Sequence, residues 1–95
     1  MKKRITLYQA ATEEAFSKNM MARFGKDYAS MDEMEAVVML RMEGEDMYIL
    51  DKCFILFNQE EYRYSLNYSM SVGDVIAIDK TMYRCLPIGW KFMES

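Results

Sequence analysis

The 95-residue chain is expected to fold as an α+β, two-layer domain in the order β-α-β-α-β-β, with two helices and a small, mainly antiparallel sheet. Three observations predict this. Period-two apolar alternation occurs near both ends, two segments carry helical spacing, and the last two alternating stretches lie so close together that they must form a hairpin. An apolar fraction of 52% supports one self-sufficient core, so residues 1–95 are read as a single domain.

Arg4–Ala10 (RITLYQA) alternates Ile5 and Leu7 against Thr6 and Tyr8, the pattern of a first strand. Thr12 is placed to cap a helix whose first turn carries Glu13 and Glu14, favourable against the helix dipole. Phe16, Met20 and Phe24 recur every four residues and predict a core-facing stripe, with Gly25 as the stop. A polar connection follows, with a short helical turn expected at SMDEM. Ala36–Met42 (AVVMLRM) is apolar on both faces and reads as an interior strand covered at least partly on each side. Asp46 is the candidate N-cap of a second helix, MYILDKCFILFN, whose core face would hold Leu50, Cys53, Phe54 and Phe57. Asp74–Asp79 and Thr81–Leu86 alternate as a hairpin pair. The turn lacks its usual glycine, so a type I turn with a bulge is expected. Pro87 and Gly89 end the second strand, and Trp90–Met93 supplies a last short apolar piece.

Charge is unevenly distributed. Residues 1–26 hold six basic and two acidic groups, residues 27–61 two and ten, and residues 62–95 four and three, giving the overall net charge of −3. The acidic middle suits a basic protein partner, and no long basic stripe suggests a duplex-binding protein. The chain has no histidine, which removes the commonest general base and the Ser-His and Cys-His pairs. Adjacent carboxylates such as Glu13/Glu14 and Glu60/Glu61 point apart, so no catalytic residues are assigned and no enzyme is expected. Cys53 and Cys85 lack CxxC spacing and read as buried free thiols in a reducing cytoplasm; no metal and no cofactor are implied. No run approaches the roughly 18 apolar residues of a membrane span, and no secretory signal is recognised.

The segment SMSVGDVIAID, residues 69–79, invites a phosphate-loop or catalytic-Asp reading. It has one glycine, no GK[ST] and a strand after it, and Asp74 has no partner of a catalytic type. The structural reading is preferred: Gly73 frees the backbone and Asp74 ties nearby amides. Eleven methionines, seven of them between Met20 and Met47, offer a pliable recognition surface. Tyr62, Arg63, Tyr64 and Tyr68 have the composition of a contact loop.

The C-terminal part resembles the YodL-like family. The likeness runs over about residues 36–93, through MEGED, Phe57-Asn58, Ser69-Met70-Ser71-Val72-Gly73-Asp74-Val75, Tyr83 and Gly89-Trp90, with Tyr8-Gln9 as an N-terminal echo. Met70 stands where the family has Leu and Trp90 where it has Phe; the segment after Phe57-Asn58 is shorter than in many members. The resemblance implies an accessory protein of bacteria and their mobile elements, with no established catalytic activity and no family-wide catalytic residues.

Together these features lead to the expectation of a non-catalytic phage or mobile-element protein, in the cytoplasm, that occupies a site on a host protein. An immunity nuclease is the candidate target, as for anti-CRISPR or anti-restriction proteins. The expected contacts are Asp32, Glu33, Glu35, Glu43, Glu45 and Asp46 for charge, with Tyr62, Arg63, Tyr64 and Tyr68 as the contact loop. The alternative is a small nucleic-acid-binding module using that loop and the basic residues Lys2, Lys3, Arg4, Lys18, Arg23 and Lys26.

Overall fold

The computed structural model describes residues 1–93. Its strands are β1 (Lys3–Ala10), β2 (Met34–Met42), β3 (Val75–Ile78), β4 (Thr81–Cys85) and β5 (Trp90–Met93); its helices are α1 (Glu13–Met21) and α2 (Asp46–Leu56). All strand pairs are antiparallel, in the order β2-β1-β3-β4-β5. The α+β class and the element order hold, and the last apolar piece adds a fifth strand along β4.

Between β2 and β3, β1 turns its alternating apolar residues into a seam. Ile5 lies opposite Ile78 and Leu40, and Leu7 opposite Ile76 and Val38. These meet Ile49, Leu50, Cys53 and Phe57 of α2 in the main core. Each fully buried aliphatic contributes roughly 1.5–3 kcal/mol, against about 0–1 for a surface ion pair, so this seam dominates the stability. The opposite face packs Ala10 and Val75 against Ala15 and Phe16 of α1, Ala29 and Met31 of the connection and Met34 at the start of β2. The sheet thus carries a second, partial cover beyond the two layers expected.

Several expectations are corrected by local geometry. Thr12 does cap α1, its hydroxyl accepting from the Ala15 amide at 3.1 Å. The inward residues of the helix are Ala15 and Asn19, whereas Phe24 is 66% exposed. The chain tightens into a 3-10 turn over Ala22–Phe24, which rotates Phe24 away from the stripe before Gly25 stops it at φ 88°. β2 is an edge strand, not an interior one. A register shift opposite Leu7/Tyr8 leaves Val37 as an extra residue, so Val37 and Val38 both pack on the main core. Adjacent apolar residues there reflect a bulge, not cover on both faces.

In α2 the core face is centred on Ile49, Leu50, Cys53 and Phe57, leaving Phe54 43% exposed. Glu45, not Asp46, occupies the N-cap position, and it makes no side-chain capping bond. The turn at SMDEM is a 3-10 segment, Met31–Glu33, closed by a Ser30/Glu33 capping box. The β3–β4 loop is two residues, with Ile78 directly opposite Thr81, so there is no bulge. Asp79 replaces glycine by adopting φ 54°. Its position is held by two bonds to Arg4: its carboxylate accepts from the Arg4 amide at 2.9 Å, and its amide donates to the Arg4 carbonyl at 2.8 Å.

Gly73, just before the C-terminal hairpin, packs close against α1. Its φ is +94°, and a Cβ there would overlap the buried Asn19 side chain. Gly25 shares the positive φ but has open space around it. Gly73→Ala is therefore expected to lower unfolding free energy by roughly 2–4 kcal/mol, and Gly25→Ala by about 1. Urea denaturation of the two variants measures the difference; equal losses would show that Asn19 yields freely.

Candidate binding surfaces

Asp74 is wholly buried at the start of β3 and gathers donors from three parts of the chain. It accepts from Gln9 Nε2 at 3.0 Å, the Tyr68 hydroxyl at 2.8 Å and the Ser71 amide at 2.9 Å. Gln9 also donates to the Tyr68 carbonyl at 2.8 Å and accepts from the Asn67 amide at 3.0 Å. The Tyr68 oxygen in turn accepts from the Ala10 amide at 2.8 Å. The Gln9 and Tyr68 bonds hold the 67–74 segment against β1, and the Ser71 amide closes the turn before β3. This is a structural clamp, in line with the structural reading of SMSVGDVIAID. Sequence reasoning missed Gln9, although it shares the phase of Ile5 and Leu7; a polar residue on a core-facing phase was the available signal.

The expected acidic residues do not form one patch. Asp32, Glu33 and Glu35 lie at the start of β2, and Glu43, Glu45 and Asp46 beyond its end. Nine strand residues hold the groups about 27 Å apart at ~3.4 Å per residue, well beyond a Debye length. Three are engaged internally. Glu33 pairs with Lys18 and accepts from the Ser30 amide, and Lys18 holds it below the usual carboxylate range. Asp46 accepts from Tyr83 at 2.7 Å and from Lys3 at 3.0 Å, and the Tyr83 bond foremost keeps it ionised to lower pH. Asp32, Glu43 and Glu45 are exposed, while Glu35, also exposed, accepts from Asn67 Nδ2 at 2.9 Å.

The tyrosine loop divides likewise. Tyr62 stacks edge-on against Phe57 at 5.4 Å and anchors a short 3-10 turn, Glu60–Tyr62. Tyr68 belongs to the clamp and stacks on Phe16 at 4.6 Å. Arg63 and Tyr64 project: Tyr64 is 89% exposed, with the Arg63 guanidinium 5.2 Å from its ring and Glu60 paired to Arg63. Of the six basic residues of the N-terminal flank, Lys3 and Lys18 are consumed by ion pairs on different elements. The flank is thus no single basic face.

Beside the clamp lies an open hollow of about 360 Å³. Ala10, Ala11 and Phe16 form its apolar part, and Glu13, Glu35, Asn67 and Tyr68 its polar part. Glu13 sits in the first turn of α1, where the helix dipole favours its charge, and has no ion-pair partner among the described residues. Elsewhere the chemistry is quiet. Burial pushes the Cys53 thiol up to about 12 and the Cys85 thiol up to about 11, so neither is a thiolate at neutral pH. Among the described residues no group of three or more His, Cys, Asp or Glu is placed to hold a metal, and no helix is long and apolar enough to cross a membrane. Comparison with family profiles, curated proteins and solved structures gives no match, so the YodL-like resemblance rests on the quoted residues alone.

Burial, opposed by the bonds from Ser71, Gln9 and Tyr68 and by the charge of Arg84, pushes Asp74 up to about 6. A carboxyl raised in the folded state holds its proton more tightly there than in the unfolded chain. Its stabilising contribution is full below the ordinary value of 3.8 and is lost as pH rises through about 6. Stability should therefore fall between those two values, and Asp74→Asn should flatten that slope in urea titrations from pH 3.5 to 7. A slope unchanged in the variant would assign the titration to another group.

Proposed function

We propose that this chain is a non-catalytic binding protein of a phage or mobile element that occupies a site on a host protein, in the manner of anti-CRISPR or anti-restriction proteins. The observation that carries the reading is the hollow beside α1. Two carboxylates, Glu13 and Glu35, share it with an apolar floor of Ala10, Ala11 and Phe16. That combination suits an arginine or lysine of a partner, whose aliphatic stem packs on the floor while its charged head meets the carboxylates. The clamp supplies rigidity, because Tyr68 and Asn67 on the rim are also bonded to β1. Ordering costs on binding are correspondingly small. Arg63 and Tyr64 offer an adaptable second contact of the kind interfaces favour. The YodL-like resemblance supplies the mobile-element setting, and the absence of histidine from the sequence favours binding over acid–base chemistry.

The two ends of β2 make unequal contributions under this reading. Reversing Glu13 and Glu35 together should reduce capture of the host partner from bacterial lysate at least tenfold, about the 1.4 kcal/mol expected for one lost charge-assisted contact. Reversing Glu43 and Glu45 should change capture much less. Circular dichroism and thermal melts confirm folding of both variants. Undiminished capture by the Glu13→Lys/Glu35→Lys protein would overturn the assignment of the hollow.

A further inference from the structure

Pairing across the sheet sets two cations directly opposite each other twice. Arg4 faces Arg41 across β1 and β2, and Arg84 faces Lys91 across β4 and β5. Like charges in that position are destabilising, and none of the four forms an ion pair among the described residues. Strand alternation puts both pairs on the same face, opposite α2, beside the part that α1 and Ala29 cover over Ala10 and Val75. Between them runs one cross-strand row, Met39, Thr6, Ala77, Met82 and Met93, which carries no charge.

Each pair has further support. Arg4 and Arg41 line a hollow of about 340 Å³ with Lys2 and Lys80; the one carboxylate there, Asp79, already accepts from the Arg4 amide. Arg84 is only 9% exposed, and its guanidinium lies 4.9 Å from the centre of the Tyr28 ring. One nitrogen donates to the Ala29 carbonyl at 2.8 Å, while the buried Nε has no partner among the described residues. With Tyr28 and Lys91 it borders a hollow of about 420 Å³. Asp74 attracts Arg84 electrostatically, but no hydrogen bond joins them. A guanidinium that is buried, stacked and incompletely bonded beside a second cation is an arrangement suited to an anion.

The geometry points to this sheet face as a binding surface for single-stranded nucleic acid. The two pairs are separated by about four residues along the strands and three strand spacings across them, or about 20 Å. A flexible strand spans that distance with phosphates on both pairs. Within the row Thr6 and Ala77 are buried, and Met82 and Met93 pack on the second core. The 66% exposed Met39 and the half-buried Tyr28 at the second hollow are the contacts left for bases. A rigid duplex fits poorly, because the face of a five-stranded sheet is too broad for either groove and the cations form two clusters, not a stripe. The surface is separate from the acidic hollow, so either site can fail without the other. It also differs from the basic flank, since four of its six cations (Arg41, Lys80, Arg84 and Lys91) come from later in the chain.

Fluorescence anisotropy of the full 95-residue protein with labelled 12-nucleotide oligothymidylate and oligouridylate, in 50 and 200 mM salt, tests this. Binding should be measurable at the lower salt and weaken at the higher. The Arg41→Gln/Lys91→Gln variant should reduce the slope of log affinity against log salt by about 1.4, at ~0.7 for each single-strand phosphate contact. The same variant should melt no lower than the wild type, because both substitutions relieve repulsion; a merely structural role would lower the melting temperature and spare the salt slope. Absence of binding at 50 mM salt, an unchanged slope, or equal affinity for a 12-base-pair duplex or an oligoglutamate peptide would each overturn the proposal.

Discussion

The buried carboxylate of Asp74 is the interaction on which the arrangement of this protein depends. It is reached by donors from β1, from the tyrosine-rich segment and from the turn before β3. Removing one partner from such a network leaves buried donors unsatisfied, at a cost of roughly 1–3 kcal/mol each. The irregular 59–74 connection has little regular structure of its own, so its path is set by this clamp. Gly73 makes the same junction sterically possible, since Asn19 fills the space a side chain would need. Asn19 then accepts from the Ala29 amide at 2.9 Å, which holds the connection after α1 against the same corner.

Everything proposed for function is mounted on that corner or on the sheet it steadies. The acidic hollow takes Tyr68 and Asn67 from the clamped segment, Glu13 from the capped start of α1 and Glu35 from the edge strand. Burial of Phe57 and its contact with Tyr62 fix the base of the loop, leaving Arg63 and Tyr64 to project. On the α1 side of the sheet, away from the hollow, strand register collects cations that the sequence scatters between positions 2 and 91. An acidic chain can thereby present opposite charge on separate surfaces, since screening over about 8 Å at physiological salt makes local arrangement matter more than the net value.

How much of this was legible depended on the range of the forces involved. The β1 alternation, the Thr12 cap, the turn at SMDEM and the final hairpin are set by neighbours within a few residues, and they were readable. Phe24 and Phe54 were misplaced because periodicity gives a stripe only up to rotation, and a 3-10 turn or a shift of one residue redirects it. The edge position of β2 was hidden for another reason: a bulge turned two adjacent valines toward one core and imitated a strand covered on both sides. Within the candidate site, Glu35 and Tyr68 were anticipated by type. Gln9, Glu13 and Asn67 were not, since their roles arise from contacts across more than 20 positions, up to 65 for Gln9 with Asp74.

By itself the sequence determined the fold class, the element order, the want of acid–base chemistry around a histidine, and the structural character of SMSVGDVIAID. These follow from backbone propensity, apolar period and side-chain inventory, which are local or compositional. Only the tertiary structure decided that the acidic block is two groups about 27 Å apart, at ~3.4 Å per strand residue. Only it decided that Asp46 and Glu33 are engaged internally, and that Arg4 meets Arg41 while Arg84 meets Lys91. The physical reason is that charge acts through space: strand register and sheet order determine which charges become neighbours, and neither is written in any short stretch of the chain.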